Sequence, residues 1–116
     1  GNPQLALILL KLFCKRIYDQ KRRLRILVIK DYNVRIADVL LMYDEMNPSP
    51  NTADNTRILN ITVQDISHWA GLSLDITRTE INKYVEKRKI EVYESSIFIA
   101  NIAELRRTVE SKLSLN

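Results

Sequence analysis

Thr62-Val63-Gln64-Asp65-Ile66-Ser67-His68-Trp69-Ala70-Gly71-Leu72-Ser73-Leu74-Asp75-Ile76-Thr77-Arg78-Thr79-Glu80-Ile81-Asn82-Lys83-Tyr84-Val85-Glu86-Lys87-Arg88 is the stretch that decides the fold. Thr62 followed three residues later by Asp65 fits a capping box, in which the threonine oxygen and the carboxylate satisfy orphan amides at a helix start. That helix runs to Ala70. Gly71 supplies the positive φ that ends it, Leu72 packs into the angle, and Ser73 caps a second helix from Leu74 to about Arg88. Two short helices joined this way make a helix-turn-helix. At helical spacing Ile66, Ala70, Leu72, Ile81 and Tyr84 share an inward side, and Asp75, Arg78, Thr79 and Asn82 fall on the other. The outward set is polar and available to a ligand.

Downstream, Ile90 to Tyr93 and Ile97 to Ala100 bracket Glu94-Ser95-Ser96, a hairpin with high strand propensity on both sides. Such a hairpin beside a helix-turn-helix is a wing. Ala103 to Leu113 closes the chain as a short amphipathic helix. Upstream, Ile58 to Ile61 reads as a short strand, and Asn47-Pro48-Ser49-Pro50-Asn51 through Thr56 as an exposed loop. Before the loop, Asp31 caps a helix to about Met46, whose Val34, Ile36, Ala37, Val39, Leu40, Leu41 and Tyr43 suit a buried element.

Leu5 to Lys30 holds neither Gly nor Pro. Ala6, Leu10, Phe13, Ile17, Gln20, Leu24 and Leu27 recur in it at alternating spacings of four and three, a heptad seam with one polar member of the kind that sets register. The basic run Lys21 to Arg25 interrupts the other faces, so the stripe is narrow and fits a partner helix better than a broad core. Pairing with a second copy is the expectation, with burial against the chain's own core as the alternative. The fold class that results is mainly α with a small β wing: residues 1–30 a dimerisation helix, residues 31–116 a winged helix-turn-helix domain.

Composition bounds what this domain can do. With 116 residues, 46% hydrophobic and 28% charged, the chain has room for one compact domain and one extra element. The longest charge-free apolar run, Leu5 to Leu10, is too short for a bilayer, and no signal-peptide pattern opens the chain, so a cytoplasmic protein without membrane contact is expected. The abrupt start on an apolar helix suggests a piece of something longer. Residues 1–30 carry eight basic side chains against Asp19 alone. That excess belongs to one helix and reads as a solvated face, with phosphate binding as the alternative. His68 and Cys14 are each the sole residue of their type, which leaves no zinc set and no nucleophile–base motif. Asp75 and Glu80 read as solvated carboxylates, and Trp69 as core or half-core packing rather than a base-stacking platform. No catalytic residue is assigned; no enzyme is expected.

Taken in order, these segments resemble the C-terminal part of the cyclic-AMP receptor protein and fumarate-nitrate regulator (Crp/Fnr) family. Asp31-Tyr32-Asn33-Val34-Arg35-Ile36-Ala37 looks like that family's hinge aspartate and the Arg-Ile/Leu-Ala helix after it. Ile61-Thr62-Val63-Gln64-Asp65-Ile66 with Gly71-Leu72-Ser73 is similar to its helix-turn-helix signature. Lys89-Ile90-Glu91-Val92 through Ile97-Phe98-Ile99 resembles its wing, and Asn101-Ile102-Ala103-Glu104-Leu105 its closing helix. The resemblance implies a homodimeric bacterial transcription regulator that binds double-stranded DNA, with RNA polymerase as a candidate partner and an effector-sensing β-roll upstream. It also implies phosphate contacts from Thr62, Gln64 and Ser73, and base readout from Leu74, Asp75, Arg78 and Thr79.

Departures from the family pattern are equally informative. Members that bind cyclic AMP present Thr and Ser hydroxyls where this chain has Gln20 and Lys21, so cyclic AMP is not supported; no cofactor is expected in this chain and the upstream effector is unknown. The best-known members follow the capping Ser with Arg-Glu and a further Arg, where this chain has Leu74, Asp75 and Thr79. Two guanidinium forks are absent, each worth roughly 1–3 kcal/mol of base discrimination, which points toward an AT-rich inverted repeat. Residues 61–116 balance their charges, and this favours the rival expectation, a protein-interaction winged helix with little specific DNA binding.

Overall fold

The computed structural model of the chain describes residues 3–48 and 54–114; the side chains of residues 3, 8–9, 12–19 and 114 are outside that description. Part of the proline-containing loop, residues 49–53, therefore lies outside the described residues. Among the described residues, five helices and three strands follow in the order α1 (Pro3–Leu27), α2 (Tyr32–Met46), β1 (Arg57–Leu59), α3 (Val63–Ala70), α4 (Leu74–Glu86), β2 (Ile90–Val92), β3 (Ile97–Ile99) and α5 (Ile102–Ser114).

The core forms around α2. Asp31 accepts hydrogen bonds from the Asn33 and Val34 amides and starts the helix. Val34 and every residue from Ile36 to Met42 are then buried, so α2 is apolar nearly all round, as a central element must be. Ile66 and Ala70 of α3, Ile81 and Tyr84 of α4, and Ile102, Leu105 and Val109 of α5 close over it.

The sheet adds a connection that the sequence does not announce. β1 joins the wing as a third strand in the order β1-β3-β2, antiparallel throughout, with Leu59 opposite Ile97 and Ile90 opposite Ile99. Strand alternation then turns Leu59, Ile90, Ile97 and Ile99 into the core and leaves Ile58 and Glu91 outside. β1 spans Arg57–Leu59 rather than Ile58 to Ile61; Ile61 is still buried, in the link to α3. Likewise α4 stops at Glu86, short of Arg88. Arg88 takes φ 59°, and the Arg88 and Lys89 amides turn back to the Val85 and Tyr84 carbonyls at 3.0 Å each, a left-handed stop made without glycine. Among the described residues no helix is long and apolar enough to cross a membrane.

Candidate DNA-binding face

The turn between α3 and α4 is held at several points. Asp65 N donates to Thr62 Oγ1 at 3.1 Å and Thr62 N to Asp65 Oδ2 at 3.2 Å, which is the complete capping box. At the other end of α3, Gly71 sits at φ 65°, ψ 35°; its amide reaches the His68 carbonyl, and the Leu72 amide reaches the Ser67 carbonyl at 3.1 Å. Ser67 Oγ donates to the Leu72 carbonyl at 2.8 Å, closing the turn from the side. Ser73 Oγ accepts from the Ile76 amide at 3.2 Å, and buried Thr77 donates its hydroxyl to the Ser73 carbonyl at 2.8 Å. The angle between the two helices thus has little freedom.

Along α4, the inward residues Ile81 and Tyr84 are buried, while Asp75, Arg78, Thr79 and Asn82 are exposed on the opposite side. Leu74 is half-buried, so it presents only part of its side chain. Thr79 Oγ1 donates to the Asp75 carbonyl at 2.9 Å. Its proton is engaged, and what it offers outward is a methyl group and an acceptor. Thr62 and Ser73 use their oxygens as acceptors for their own helices, which leaves each hydroxyl proton to donate elsewhere; Gln64 is exposed beside them. The three residues expected at phosphates therefore sit at the N-termini of α3 and α4, where backbone amides favour anions.

The wing is differently charged. Between Ile90 and Ala100 it has no basic residue, and its exposed Glu91, Tyr93 and Glu94 project an acidic, aromatic tip. Tyr93 donates to Glu91 Oε2 at 2.5 Å, a bond that raises the phenol's pKa because it holds the proton against a carboxylate.

On α1 the described seam residues Ala6, Leu10, Gln20, Leu24 and Leu27 are exposed, Leu10 at 58%, Leu24 at 62% and Leu27 at 37%. The side chains of Phe13 and Ile17 lie outside the described residues, as does that of Cys14. The alternative of burial against the chain's own core does not apply to the five that are described. The basic run beside them is a solvated face only in part, with Lys21 and Arg25 exposed. Arg22 is 5% exposed and its two terminal nitrogens bond the two Asp38 carboxylate oxygens at 2.6 Å each, while Nε reaches Glu45 at 3.0 Å. Despite a burial that opposes its charge, these two carboxylates raise the Arg22 pKa. Arg23 lies over the half-buried Trp69 ring, 5.2 Å from its centroid, and Arg25 reaches Asp38 at 3.4 Å.

Two further ties escaped the sequence reading. Arg35 donates from Nε and Nη2 to the Ile29 carbonyl and from Nη1 to the Ala70 carbonyl, clamping the α1–α2 link to the end of α3. Glu80 accepts from Asn33 Nδ2 at 3.1 Å and pairs with Lys83, and Tyr84 donates to the Asn33 carbonyl, so α4 is pinned to the start of α2. Burial and the nearby Asp31 and Glu80 push the Tyr84 phenol well above its ordinary value.

No protein-family model and no curated protein matches this sequence. Solved structures do match. A transcriptional regulator of the CRP/FNR family from Thermus thermophilus is 19% identical with a TM-score of 0.75, the alignment covering 97% of this chain and 57% of that one. A CRP-family transcriptional regulator from the same organism is 12% identical with a TM-score of 0.76, covering 95% and 56%. A CooA variant from Carboxydothermus hydrogenoformans is 16% identical with a TM-score of 0.76, covering 92% and 50%. The fold is that of Crp/Fnr regulators. The chain spans little more than half the length of these structures and corresponds to the C-terminal part. In this Crp/Fnr fold the segments quoted from the sequence fall on the expected elements: Asp31 caps α2, Gly71 and Ser73 make the turn, and Asn101 Oδ1 accepts from the Glu104 amide at the start of α5.

Proposed function

We propose that this chain is the DNA-reading and dimerisation portion of a Crp/Fnr-type transcription regulator and not an enzyme. Residues 1–30 pair two copies, and residues 31–116 place α4 of each copy in successive major grooves of an inverted repeat, with half-sites about 34 Å apart. The observation that carries this reading is the exposed face of α4, Asp75, Arg78, Thr79 and Asn82, standing on a turn fixed by Gly71, Ser67 and Thr77. Thr62, Gln64 and Ser73 grip phosphates and position the helix, while Leu74, Asp75, Arg78 and Thr79 read bases. Asp75 suits a cytosine amino group, the Thr79 methyl and Leu74 suit a thymine methyl, and Arg78 supplies the one guanidinium. RNA polymerase is a candidate partner, and the effector belongs to residues upstream of this chain.

A second reading, a protein-interaction winged helix, is favoured by the acidic wing, since Glu91 and Glu94 oppose phosphate. Selection from a random duplex pool separates the two. The expected result is an AT-rich inverted repeat whose affinity falls with salt; an enriched guanine-containing family half-site would overturn the base-readout assignment. A pool with no enriched motif would support the protein-interaction reading.

A further inference from the structure

The C-terminal end of α1 has two faces with different tasks. At 100° per residue Arg22, Ile26 and Ile29 (just past the last turn) stack within about 60° of one another, whereas Gln20 and Leu24 lie about 160° from Arg22. The first three are buried and the last two exposed. Ile26 and Ile29 are apolar plugs, and apolar contact tolerates small rotations. Arg22 does not. Its planar fork meets the Asp38 carboxylate through two bonds of 2.6 Å, its Nη2 also reaches the Asp38 carbonyl at 3.3 Å, and Nε takes Glu45 at 3.0 Å. A bidentate pair of this kind has one relative orientation. Asp38 is itself 0% exposed, in the middle of α2, and α2 is tied to α4 through Asn33, Glu80 and Tyr84. A continuous rigid path therefore joins the face of α1 opposite the seam to the reading helix.

We infer that Arg22 and Asp38 are positioning residues that set the spacing and relative orientation of the two reading helices in the dimer, and so the half-site spacing the protein accepts. The inference rests on the proposed DNA-reading dimer. The latch fixes the roll of α1 and with it the angle at which the seam is presented to the second copy, and two-fold symmetry doubles any error. A change of about 10° acting over a lever on the order of 20 Å moves α4 by about one base-pair step, 3.4 Å.

The test uses the full chain and the duplex recovered by selection, with the central spacer lengthened or shortened by one or two base pairs, alongside a single half-site. Asp38→Ala would leave a guanidinium buried beside Glu45 alone and risks unfolding, so the variant is Arg22→Met with Asp38→Leu, which replaces the pair by apolar groups of similar volume. Wild type should lose tenfold or more in affinity per base pair of altered spacing. The double variant should keep its half-site affinity within about twofold, while that spacing penalty drops below threefold. Unchanged spacing selectivity in the double variant would overturn the inference, as would a loss of half-site affinity equal to the loss on the full site.

A second measurement needs no DNA. With Cys14→Ser and a spin label at Asn82→Cys, the distance distribution between the two copies should be narrow in wild type and broad in the double variant; equal widths would overturn the latch. Wild type that enriches no duplex yet shows this narrow-to-broad change would sink the DNA reading while leaving the latch as the element that sets the geometry of the dimer.

Discussion

Gly71→Ala tests the turn and the contact of α1 with it in one substitution. The backbone there has φ 65° and ψ 35°, a left-handed conformation that costs an L-residue roughly 1–2 kcal/mol. An added Cβ would also stand 2.9 Å from Leu27 Cδ2, inside the ~3.5–4.0 Å of ordinary carbon contact. That atom is the free end of a partly exposed side chain, so it gives way by leaving its rotamer, at about 0.5–1.5 kcal/mol. The sum is about 1.5–3.5 kcal/mol, a large share of the ~5–15 kcal/mol that holds an ordinary domain together. For a chain of this length it corresponds to a fall in Tm of roughly 5–20 °C. Urea titration followed by circular dichroism should show a lower midpoint with an unchanged slope. Gly71→Asn, which enters the left-handed region more readily, should cost less than alanine. In a Leu27→Ala background the cost of Gly71→Ala should shrink by about the rotamer share. A cost below about 0.5 kcal/mol would refute the need for glycine at this φ, and full additivity with Leu27→Ala would refute the contact between α1 and the turn.

Replacing exposed Leu10 and Leu24 by Asp should convert a dimer to a monomer in sedimentation at micromolar concentration, while changing the stability of the fold by no more than about 0.5 kcal/mol; a wild-type chain already monomeric under those conditions would count against the seam. Tyr84 carries an alkaline signature. Because burial raises its pKa above the ordinary 10.0, the stability it contributes is complete below pH 10 and is lost as pH rises from there toward the folded value, by up to about 1.4 kcal/mol per pH unit. Tyr84→Phe should lose about 1 kcal/mol at neutral pH with the hydrogen bond to Asn33, yet decline less steeply than wild type between pH 10 and 11.5 in urea midpoints; parallel declines would refute the assignment.

Most of the local architecture was legible in the sequence. The caps at Asp31, Thr62 and Ser73 and the stop at Gly71 each depend on groups within four residues of one another. Such bonds form wherever the chain is helical, whatever surrounds the helix. The heptad period of α1 is legible for a similar reason: it does not depend on what covers it, and its described members are exposed. The outward face of α4 is legible by spacing, but the engaged hydroxyl of Thr79 and the half-burial of Leu74 depend on side-chain conformation and packing, which spacing does not specify.

What only the tertiary structure decided are the pairings between distant segments. Arg22 looked like one member of a solvated basic run, since charge counting cannot tell an exposed guanidinium from one inserted beside a buried carboxylate; that distinction appears once α1 crosses α2 and brings Asp38 beneath it. Arg23 against Trp69, Arg35 across Ile29 and Ala70, and Asn33 with Glu80 have the same origin. So does the third strand, where β1 pairs with β3 although the sequence shows β3 only as half of a hairpin and the upstream strand with no stated partner. The sequence by itself determined which segments are helices, where they begin and which faces are apolar, because those properties are set by near neighbours and by period. How α1 lies on the rest of the chain depends on contacts such as those of Arg22 with Asp38 and of buried Ile26 and Ile29, whose two ends are brought together only by the packing of one helix on another.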